Sequence, residues 1–296
     1  LANGTENNPI TFQQSIENKP WGTIALQGKQ TQNSSFKNVS FTGGSGDLIN
    51  DINYTSMFSL HNTSNVMLKN IKMNNNFKYD DVIHLVYCKN IELDNILIEN
   101  AFSDAIDIDI STDIIIKNSN FLNPKNDSID LMESNVIIAS SRMFRSGDKG
   151  ISVGENSNVL IYNSLLNENK IGLAVKDKSI ARVIHSDFVE NDFHVKNYQK
   201  NFKYGDGGKT EIYKSKFLGK RNNLSADNKS DILIDDSSFN KKIDFDDKKI
   251  LLNYNVSFKG EKKIFNKFDV VEMDKFFADI KKVRNIDLRG SDFLYN

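Results

Sequence analysis

The stretch AFSDAIDIDISTDIIIKNSNF, residues 101–121, contains two short apolar segments of different kinds. In AIDIDI, apolar residues alternate with aspartates, which is the period-two pattern of a β-strand with one buried face. In NSNF, a turn-forming Asn precedes a small residue, a polar residue and a large apolar residue. Both segments recur along the chain, and their recurrence decides the predicted fold.

Segments like NSNF occur nine times, each with a small or apolar second residue and a large apolar fourth residue. Their second residues are Val39, Ile71, Ile96, Ser119, Ser141, Ser164, Ser186, Ser215 and Ser237. By subtraction, the successive intervals are 32, 25, 23, 22, 23, 22, 29 and 22 residues. Self-similarity at a nearly fixed period indicates a solenoid, and the two longer intervals indicate insertions.

Segments like AIDIDI lie about a dozen residues ahead and supply two apolar columns. The first column is Phe58, Ile83, Ile106, Ile129, Ile151, Leu173 and Phe193, and the second is Leu60, Leu85, Ile108, Leu131, Val153, Val175 and Val195. Two short strands per turn of about 23 residues predict an all-β, right-handed, single-stranded parallel β-helix. Leucine-rich repeats are excluded by the Leu spacing, and tetratricopeptide and ankyrin repeats by their length and helices.

The domain prediction follows from where the pattern stops. The β-helix is expected over residues 1–240 in about nine rungs, with Asn and Ser forming side-chain ladders at the turns. Residues 241–296 are expected to add C-terminal strands and a capping helix to the same domain. The spacing of Val271, Phe276, Phe277, Ile280 and Val283 is that of one helix face, and a solenoid needs its open end covered.

Composition excludes several classes of protein. A net charge of −1 with no separate basic face argues against nucleic acid as a partner. No run approaches the 18 apolar residues of a membrane span, and the lone Cys88 excludes an intrachain disulfide. The chain begins LANGTENNPI, which fits either a removed signal peptide or a trimmed sequence.

The apolar columns also fix which residues point outwards. The residues between the columns are Ser59, His84, Asp107, Asp130, Ser152, Ala174 and His194. Three positions earlier lie Ser56, Asp81, Asp104, Asp127 and Lys149, and two positions later lie His61, Val86, Asp109, Met132, Gly154, Lys176 and Lys196. Because neighbouring strands are about 4.8 Å apart, the aspartates are expected to form vertical files.

Such files are electrostatically costly. Two carboxylates about 5 Å apart repel by about 3 kcal/mol at an effective dielectric constant of 20, so the set favours a cation, a shared proton or a cationic ligand. Hard oxygen ligands suit Ca²⁺ better than zinc. The predicted ligands are Asp81, Asp104, Asp107, Asp127 and Asp130. His84 is a candidate for proton transfer or orientation, and a solvated stripe of turn-forming aspartates is the alternative.

Two turns resemble those of calcium-dependent pectate lyases. NDSIDL (126–131) is similar to their calcium-binding acidic turn, and GDKGISVGE (147–155) is similar to the next turn, which carries their lysine base. The resemblance implies a pectin-lyase-like fold, with Asp104, Asp107, Asp127 and Asp130 as calcium ligands. Ser152 stands at the lysine position, so Lys149, three residues earlier, and Lys176, one rung later, are the candidate bases.

Two further resemblances leave the reaction open. SDAIDI, NDSIDL and GISVGE are similar to polygalacturonase turns, although the histidine of the last turn is absent. NKPWGTIALQGK (18–29), SDAIDIDIS and GDKGISVGE together resemble an uncharacterised bacterial group of β-helix domains, some attached to spore-coat-like kinase modules. That resemblance implies a secreted or cell-surface protein.

The leading hypothesis is an enzyme that acts on a uronate-containing polysaccharide by Ca²⁺-assisted β-elimination or C5 epimerisation. Lys149, Lys176 and His84 are the predicted catalytic residues, and Asp109, His194 and Lys196 the predicted substrate contacts. A glycoside hydrolase with paired aspartates and a non-catalytic glycan-binding scaffold are the alternatives. The Gly-rich insertion KNYQKNFKYGDGGK (196–209) is either a substrate-contacting loop or a surface excursion.

Overall fold

The structure, a computed structural model, describes residues 1–77, 79–220, 223–241, 250–252, 256–258 and 261–263. Its regular structure is almost entirely β-strand, with single 3₁₀ turns at Lys29–Thr31 and Phe202–Tyr204. Within these ranges no helix has the length and apolarity needed to cross a membrane. The predicted capping helix after residue 264 lies outside the described residues.

One sheet, called the site sheet below, contains nine parallel strands among the described residues. In chain order they are β3 (Ile24–Gln27), β7 (Ser56–His61), β9 (Asp81–Val86), β11 (Ile106–Asp109), β14 (Ile129–Met132), β17 (Lys149–Gly154), β20 (Ile171–Lys176), β23 (Phe193–Tyr198) and β26 (Leu224–Ala226). Each strand pairs with the site-sheet strand of the next turn, as expected for a parallel β-helix.

Two further parallel ladders complete each turn, and the long strands β4 (Ser35–Thr42), β8 (Ser64–Asn74) and β10 (Lys89–Glu99) belong to both. The second ladder continues with β12 (Thr112–Lys117), β15 (Asn135–Ala139), β18 (Asn158–Tyr162), β21 (Ile180–Ile184), β24 (Lys209–Tyr213), β27 (Asp231–Asp235) and β29 (Ile250–Leu252). The third continues with β13 (Asn120–Leu122), β16 (Arg142–Phe144), β19 (Leu165–Asn167), β22 (Asp187–Val189), β25 (Lys216–Leu218), β28 (Ser238–Phe239) and β30 (Val256–Phe258).

The remaining strands lie at the ends of the coil and in one insertion. At the N-terminal end, β1 (Ala2–Asn3) and β2 (Ile10–Gln13) pair with β4. The first long interval contains an antiparallel hairpin of β5 (Asp47–Ile49) and β6 (Ile52–Tyr54). At the other end, β31 (Glu261–Lys263) pairs antiparallel with β30.

The interior is a continuous apolar core. Columns such as Ile83, Ile106, Ile129 and Ile151 are fully buried and stack strand on strand. Each fully buried aliphatic side chain contributes about 1.5–3 kcal/mol relative to exposure. Stacked Phe217 and Phe239, with ring centroids 4.3 Å apart, continue the core towards the C-terminal end.

Side-chain ladders close the corners, as predicted. The Ser119 hydroxyl accepts the Ile96 amide at 3.1 Å, and the same pattern repeats through Ser141 and Ser164. Asn95 donates to the Asn70 side chain at 2.9 Å, and both residues have left-handed backbone. Because Asn tolerates positive φ, the corners can turn without glycine.

The predicted register is confirmed up to β20 and is wrong for β23. Leu173 pairs with Val195 rather than with Phe193, so that Lys196 occupies the outward position expected for His194. The spacing stays at 22 residues (195 − 173), and the inner position next to Val175 is taken by Asn197. Asn197 is buried there because Thr210 donates to its side-chain oxygen at 2.9 Å and its amide donates to the Asp231 carbonyl at 2.7 Å.

Candidate functional site

The outward face of the site sheet carries three vertical files of side chains. The side file is Ser56, Asp81, Asp104, Asp127, Lys149, Ile171 and Phe193. The central file is Ser59, His84, Asp107, Asp130, Ser152, Ala174 and Lys196, and the far file is His61, Val86, Asp109, Met132, Gly154, Lys176 and Tyr198. We call β9, β11 and β14 the acidic half of this groove, and β17, β20 and β23 its basic half.

The first acidic group lies on the side file. Carboxylate oxygens of Asp80, Asp81 and Asp104 lie within 4.8 Å of one another. Asp81 is only 2% exposed, and no described residue forms a hydrogen bond with its Oδ1 atom. The Oδ1 atom of Asp104, by contrast, accepts hydrogen bonds from the Asp127 amide at 2.6 Å and from Asn126 at 2.8 Å. Asp80 joins the predicted ligands Asp81 and Asp104 although the repeat pattern gave no reason to select it.

Burial and mutual repulsion favour the neutral form of Asp81 and Asp104. Burial, followed by the charges of Asp107 and Asp80, raises the pKa of Asp81 to about 10. Burial also raises the pKa of Asp104 to about 7, although the Asp127 amide opposes the shift. At neutral pH the group therefore has oxygen atoms available but does not carry its full negative charge.

The second group joins the central and far files. The Nε2 atom of His84 lies 3.3 Å from Asp109 Oδ2 and 3.6 Å from Asp107 Oδ2, and its Nδ1 atom lies 3.2 Å from the Thr55 hydroxyl. Burial, followed by repulsion from Asp109 and Asp130, raises the pKa of Asp107 to about 9. The predicted substrate contact Asp109 is thus hydrogen-bonded to His84, and Asp107 keeps a proton beside the imidazole at neutral pH.

His61 extends this end of the groove. Its ring lies edge-on to that of His84, with centroids 5.5 Å apart, and packs against Tyr54 at 4.7 Å. Burial, followed by the neighbouring His84, lowers the pKa of His61 to about 4. His61 is therefore neutral at physiological pH and adds an aromatic surface rather than a charge.

An ion-paired cluster marks the boundary between the two halves. Lys149 Nζ lies 3.3 Å from Asp127 Oδ2 and 2.5 Å from Asp148 Oδ2. Burial opposes the charge on Lys149, but Asp127 and Asp148 outweigh it and raise the pKa of this lysine above its ordinary value. The Asp127 carboxylate is thus ion-paired with this lysine, while Asp130 Oδ1 accepts a hydrogen bond from the Leu131 amide at 3.0 Å. Neither joins a group of three converging ligands among the described residues.

Lys176 is a buried cation in a different situation. It is 3% exposed, and the described residues form neither an ion pair nor a hydrogen bond with its amino group. A Cβ atom on Gly154 would lie 3.1 Å from its Cε atom and 3.3 Å from Nζ, so the amino group lies directly over the glycine. Burial raises the pKa of the adjoining Glu155, and the charge of Lys176 offsets only part of that shift.

The last strand of the basic half contains Lys196 between two aromatic rings. Its Nζ atom lies 5.3 Å from the centroid of Phe193 and 5.7 Å from that of Tyr198. The predicted substrate contact His194 points the other way: it is fully buried, with its ring against Phe188 and Phe217. His194 was assigned to the groove because the register of β23 was predicted two residues out of place.

The insertion after Tyr198 lies along the edge of the groove. The buried carboxylate of Asp177 accepts the amides of Lys200 and Asn201, both at 2.7 Å. The Tyr204 hydroxyl reaches back to β14 and hydrogen-bonds to Glu133 Oε1 at 3.1 Å. The sequence did not predict where this insertion lies. Its contacts are with residues up to 71 positions away, and such contacts leave no local pattern in the sequence.

Comparison with known proteins identifies the architecture. A family described as the right handed beta helix region matches residues 56–205, which confirms the predicted handedness. No curated protein matches the chain. The attachment to spore-coat-kinase-like proteins stays a prediction.

Solved structures show the same fold at low sequence identity. A pectate lyase from Paenibacillus sp. 0602 is 10% identical with a TM-score of 0.54, over 67% of this chain and 64% of that one. An alginate lyase from Paenibacillus sp. str. FPU-7 is 14% identical with a TM-score of 0.51, over 86% of each chain. A polygalacturonase from Erwinia carotovora is 13% identical with a TM-score of 0.50, over 87% and 81%. The match spans less than two thirds of that pectate lyase, and at these identities the likeness concerns the fold alone.

Proposed function

Because the chain belongs to the family of right-handed β-helix regions, we propose that its groove binds a uronate-containing polysaccharide and cleaves it by β-elimination. The observation that carries this proposal is the division of charge along one face. Converging carboxyl groups on β9 and β11 lie in the same groove as Lys176, a buried cation without an ion-pair partner among the described residues. A buried charge is normally paired, and a sugar carboxylate would pair it.

The residues on the side file fit a hard divalent cation. Asp80, Asp81 and Asp104 offer oxygen atoms within 4.8 Å of one another, and Asp81 Oδ1 has no hydrogen-bond partner in the part of the chain that the structure describes. Carboxylate oxygen is the donor type that Ca²⁺ prefers. A bound Ca²⁺ would supply positive charge to a sugar carboxylate and stabilise the negative charge that develops next to it.

His84 and Asp107 are the proposed proton-transfer residues. Thr55 and Asp109 orient the imidazole, and Asp107 keeps its proton at neutral pH only 3.6 Å from Nε2. In the proposed elimination, the imidazole takes the C5 proton of the uronate, the bond from C4 to the glycosidic oxygen breaks as the double bond forms, and the Asp107 carboxyl group gives its proton to the leaving oxygen. Lys149, predicted as a base, holds its proton in ion pairs with Asp127 and Asp148 and is assigned a structural role instead.

Lys176 and Lys196 are the proposed carboxylate-binding residues. They lie on neighbouring strands of the basic half, so a polyanion along the groove meets an ammonium group on each of two rungs about 4.8 Å apart. A substrate of this kind is consistent with a secreted or cell-surface bacterial protein, as expected from the sequence.

The test is incubation of the chain with pectate and with alginate, with and without Ca²⁺, followed by ultraviolet absorbance of the conjugated double bond that elimination creates. Asp107→Asn is expected to lose at least about a hundredfold in rate, the range of general acid–base catalysis. Asp113→Asn is the matched control, because Asp113 is 65% exposed and lies on β12 outside the groove. Equal rates for the two variants would refute the assignment of Asp107.

Hydrolysis is the second candidate, favoured by the pairing of Asp107 with Asp130 on adjacent strands. Asp107 keeps its proton, and Asp130 accepts a backbone amide, so the two carboxyl groups differ in environment. A hydrolase requires an acid and a base of this kind. New reducing ends without absorbance from a double bond would decide for hydrolysis.

A further inference from the structure

The strand β23 and the insertion after it contain aromatic side chains that the proposed reaction does not use. The register of β23 places Phe193 on the side file, Lys196 on the central file and Tyr198 on the far file. All three are half-buried, and together they span the width of the groove on one rung. We call this set the aromatic subsite.

The arrangement of the subsite is preformed. Lys196 Nζ lies 5.3 Å and 5.7 Å from the two ring centroids, within the range of cation–π attraction. The rings therefore flank the ammonium group on the central file, and both remain partly exposed. An ammonium group flanked by apolar rings offers one contact to a carboxylate and two surfaces to the C–H groups of a sugar ring.

The insertion fixes the wall beside the subsite. Immediately after Tyr198, the Gln199 amide donates to Asp227 Oδ2 at 2.7 Å, and the next two amides donate to the buried Asp177. The Lys178 amide donates to the Gly207 carbonyl at 2.8 Å and secures the returning segment. The insertion is thus tied down at both ends, although its 3₁₀ turn presents Phe202 with 85% exposure.

We propose that Phe193, Lys196 and Tyr198 form a sugar-binding subsite at the basic end of the groove, with the insertion 199–208 as its side wall and Phe202 at its rim. This inference rests on the proposed function for the identity of the ligand, a uronate oligosaccharide. Four strand steps separate β11 from β23, which is about 19 Å at about 4.8 Å per step. The subsite therefore binds a sugar several units away from the reacting bond and contributes to length specificity.

The experiment is calorimetric titration of oligogalacturonates and oligomannuronates of increasing length into the full chain with Ca²⁺ present. Phe193→Ala is expected to weaken binding of the longest oligomers about tenfold, the effect of removing a central aromatic contact. Tyr198→Phe keeps the ring and is expected to change affinity less than about threefold. Met67→Ala is the matched control, because Met67 is 42% exposed on β8, outside the site sheet.

The outcomes separate the subsite from the proposed function. No binding of any uronate oligomer by the unaltered chain would refute the proposed function, and the subsite with it. Equal affinities of the unaltered chain and Phe193→Ala would refute the subsite alone. Since Phe193 is half-buried, Lys196→Met provides a second test that leaves the interior untouched, and it is also expected to lose about tenfold for long oligomers.

Discussion

The acidic and basic halves of the groove belong to the same sheet, yet they handle buried charge in opposite ways. In the acidic half, Asp81 and Asp107 lie close to other carboxyl groups, and their pKa values rise to about 10 and about 9. In the basic half, Lys149 is neutralised by two carboxylates, whereas Lys176 has no ion-pair partner among the described residues. Carboxyl groups thus lie next to one another in the acidic half, whereas the lysines of the basic half lie on separate strands.

This difference identifies where a ligand is expected. In an ion pair such as Lys149–Asp127, each charge is already neutralised by the other, so the pair needs no ligand and serves to fix the positions of the two side chains. Among the described residues, Asp81 has a buried oxygen without a hydrogen-bond partner, and Lys176 has a buried ammonium group without an ion-pair partner. Both have a free-energy cost, which a cation would relieve at Asp81 and an anion at Lys176. The proposed ligand, a polyuronate with bound calcium, would supply both charges.

The largest expected effect concerns the ion pair. Lys149→Met leaves Asp127, with a side chain only 2% exposed, without its partner. Removal of one member of a buried pair costs about 3 kcal/mol in the free energy of unfolding, measured by urea denaturation. Lys170→Met is the control, because Lys170 is 63% exposed beside Asp148 and is expected to change stability by less than about 0.5 kcal/mol. Similar losses in both variants would mean that the boundary cluster is not a buried pair.

The second effect is on cation affinity in the acidic half. Asp81→Asn removes a carboxyl ligand that would lose its proton when a cation binds, and it is expected to weaken Ca²⁺ binding at least about tenfold, measured by calorimetry on metal-free protein. Asp148→Asn removes a carboxylate of the basic half and is expected to leave Ca²⁺ affinity nearly unchanged. If Asp148→Asn has the larger effect, calcium binds at the boundary rather than on the side file.

The third effect is a dependence of stability on pH. Folding raises the pKa values of Asp81 and Asp107, so the folded state binds more protons than the unfolded state above about pH 4. Stability of the metal-free chain should therefore fall as pH rises from about 5 towards 9. Asp107→Asn is expected to reduce this slope and to raise the melting temperature at pH 8 by roughly 2–4 °C. A melting temperature that rises with pH over this range would contradict the assignment.

The smallest effect concerns the position of Lys176. Gly154→Ala places a methyl group 3.3 Å from both Lys176 Nζ and the Leu131 carbonyl, so the ammonium group must move. We expect a few-fold loss of polyuronate affinity with less than about 1 kcal/mol lost in stability. In a Lys176→Met background the same substitution should have no further effect on affinity, which a double-mutant cycle would detect. Additive losses would show that Gly154 acts elsewhere.

Much of this arrangement could be predicted because a coil repeats. A fixed interval of 22–23 residues brings Asp81, Asp104 and Asp127 into one file, and strand alternation sends Asp107 and Asp130 outwards. The prediction failed at His194 because the register was set by aligning the apolar residues Phe193 and Val195 with Leu173 and Val175 of the preceding turn. The structure instead keeps the 22-residue spacing and buries Asn197 in an apolar column, where hydrogen bonds satisfy it.

The sequence by itself determined the coil, its period and the faces on which acids and lysines appear, because these follow from local alternation and repetition. Only the tertiary structure decided which charges are compensated. Several features depend on contacts between turns: Lys149 is ion-paired whereas Lys176 has no ion-pair partner among the described residues, Asp80 and Asp81 meet Asp104, and Tyr204 reaches Glu133. Charge compensation depends on distances of a few ångströms and on burial, and neither is encoded in the spacing of residues along the chain.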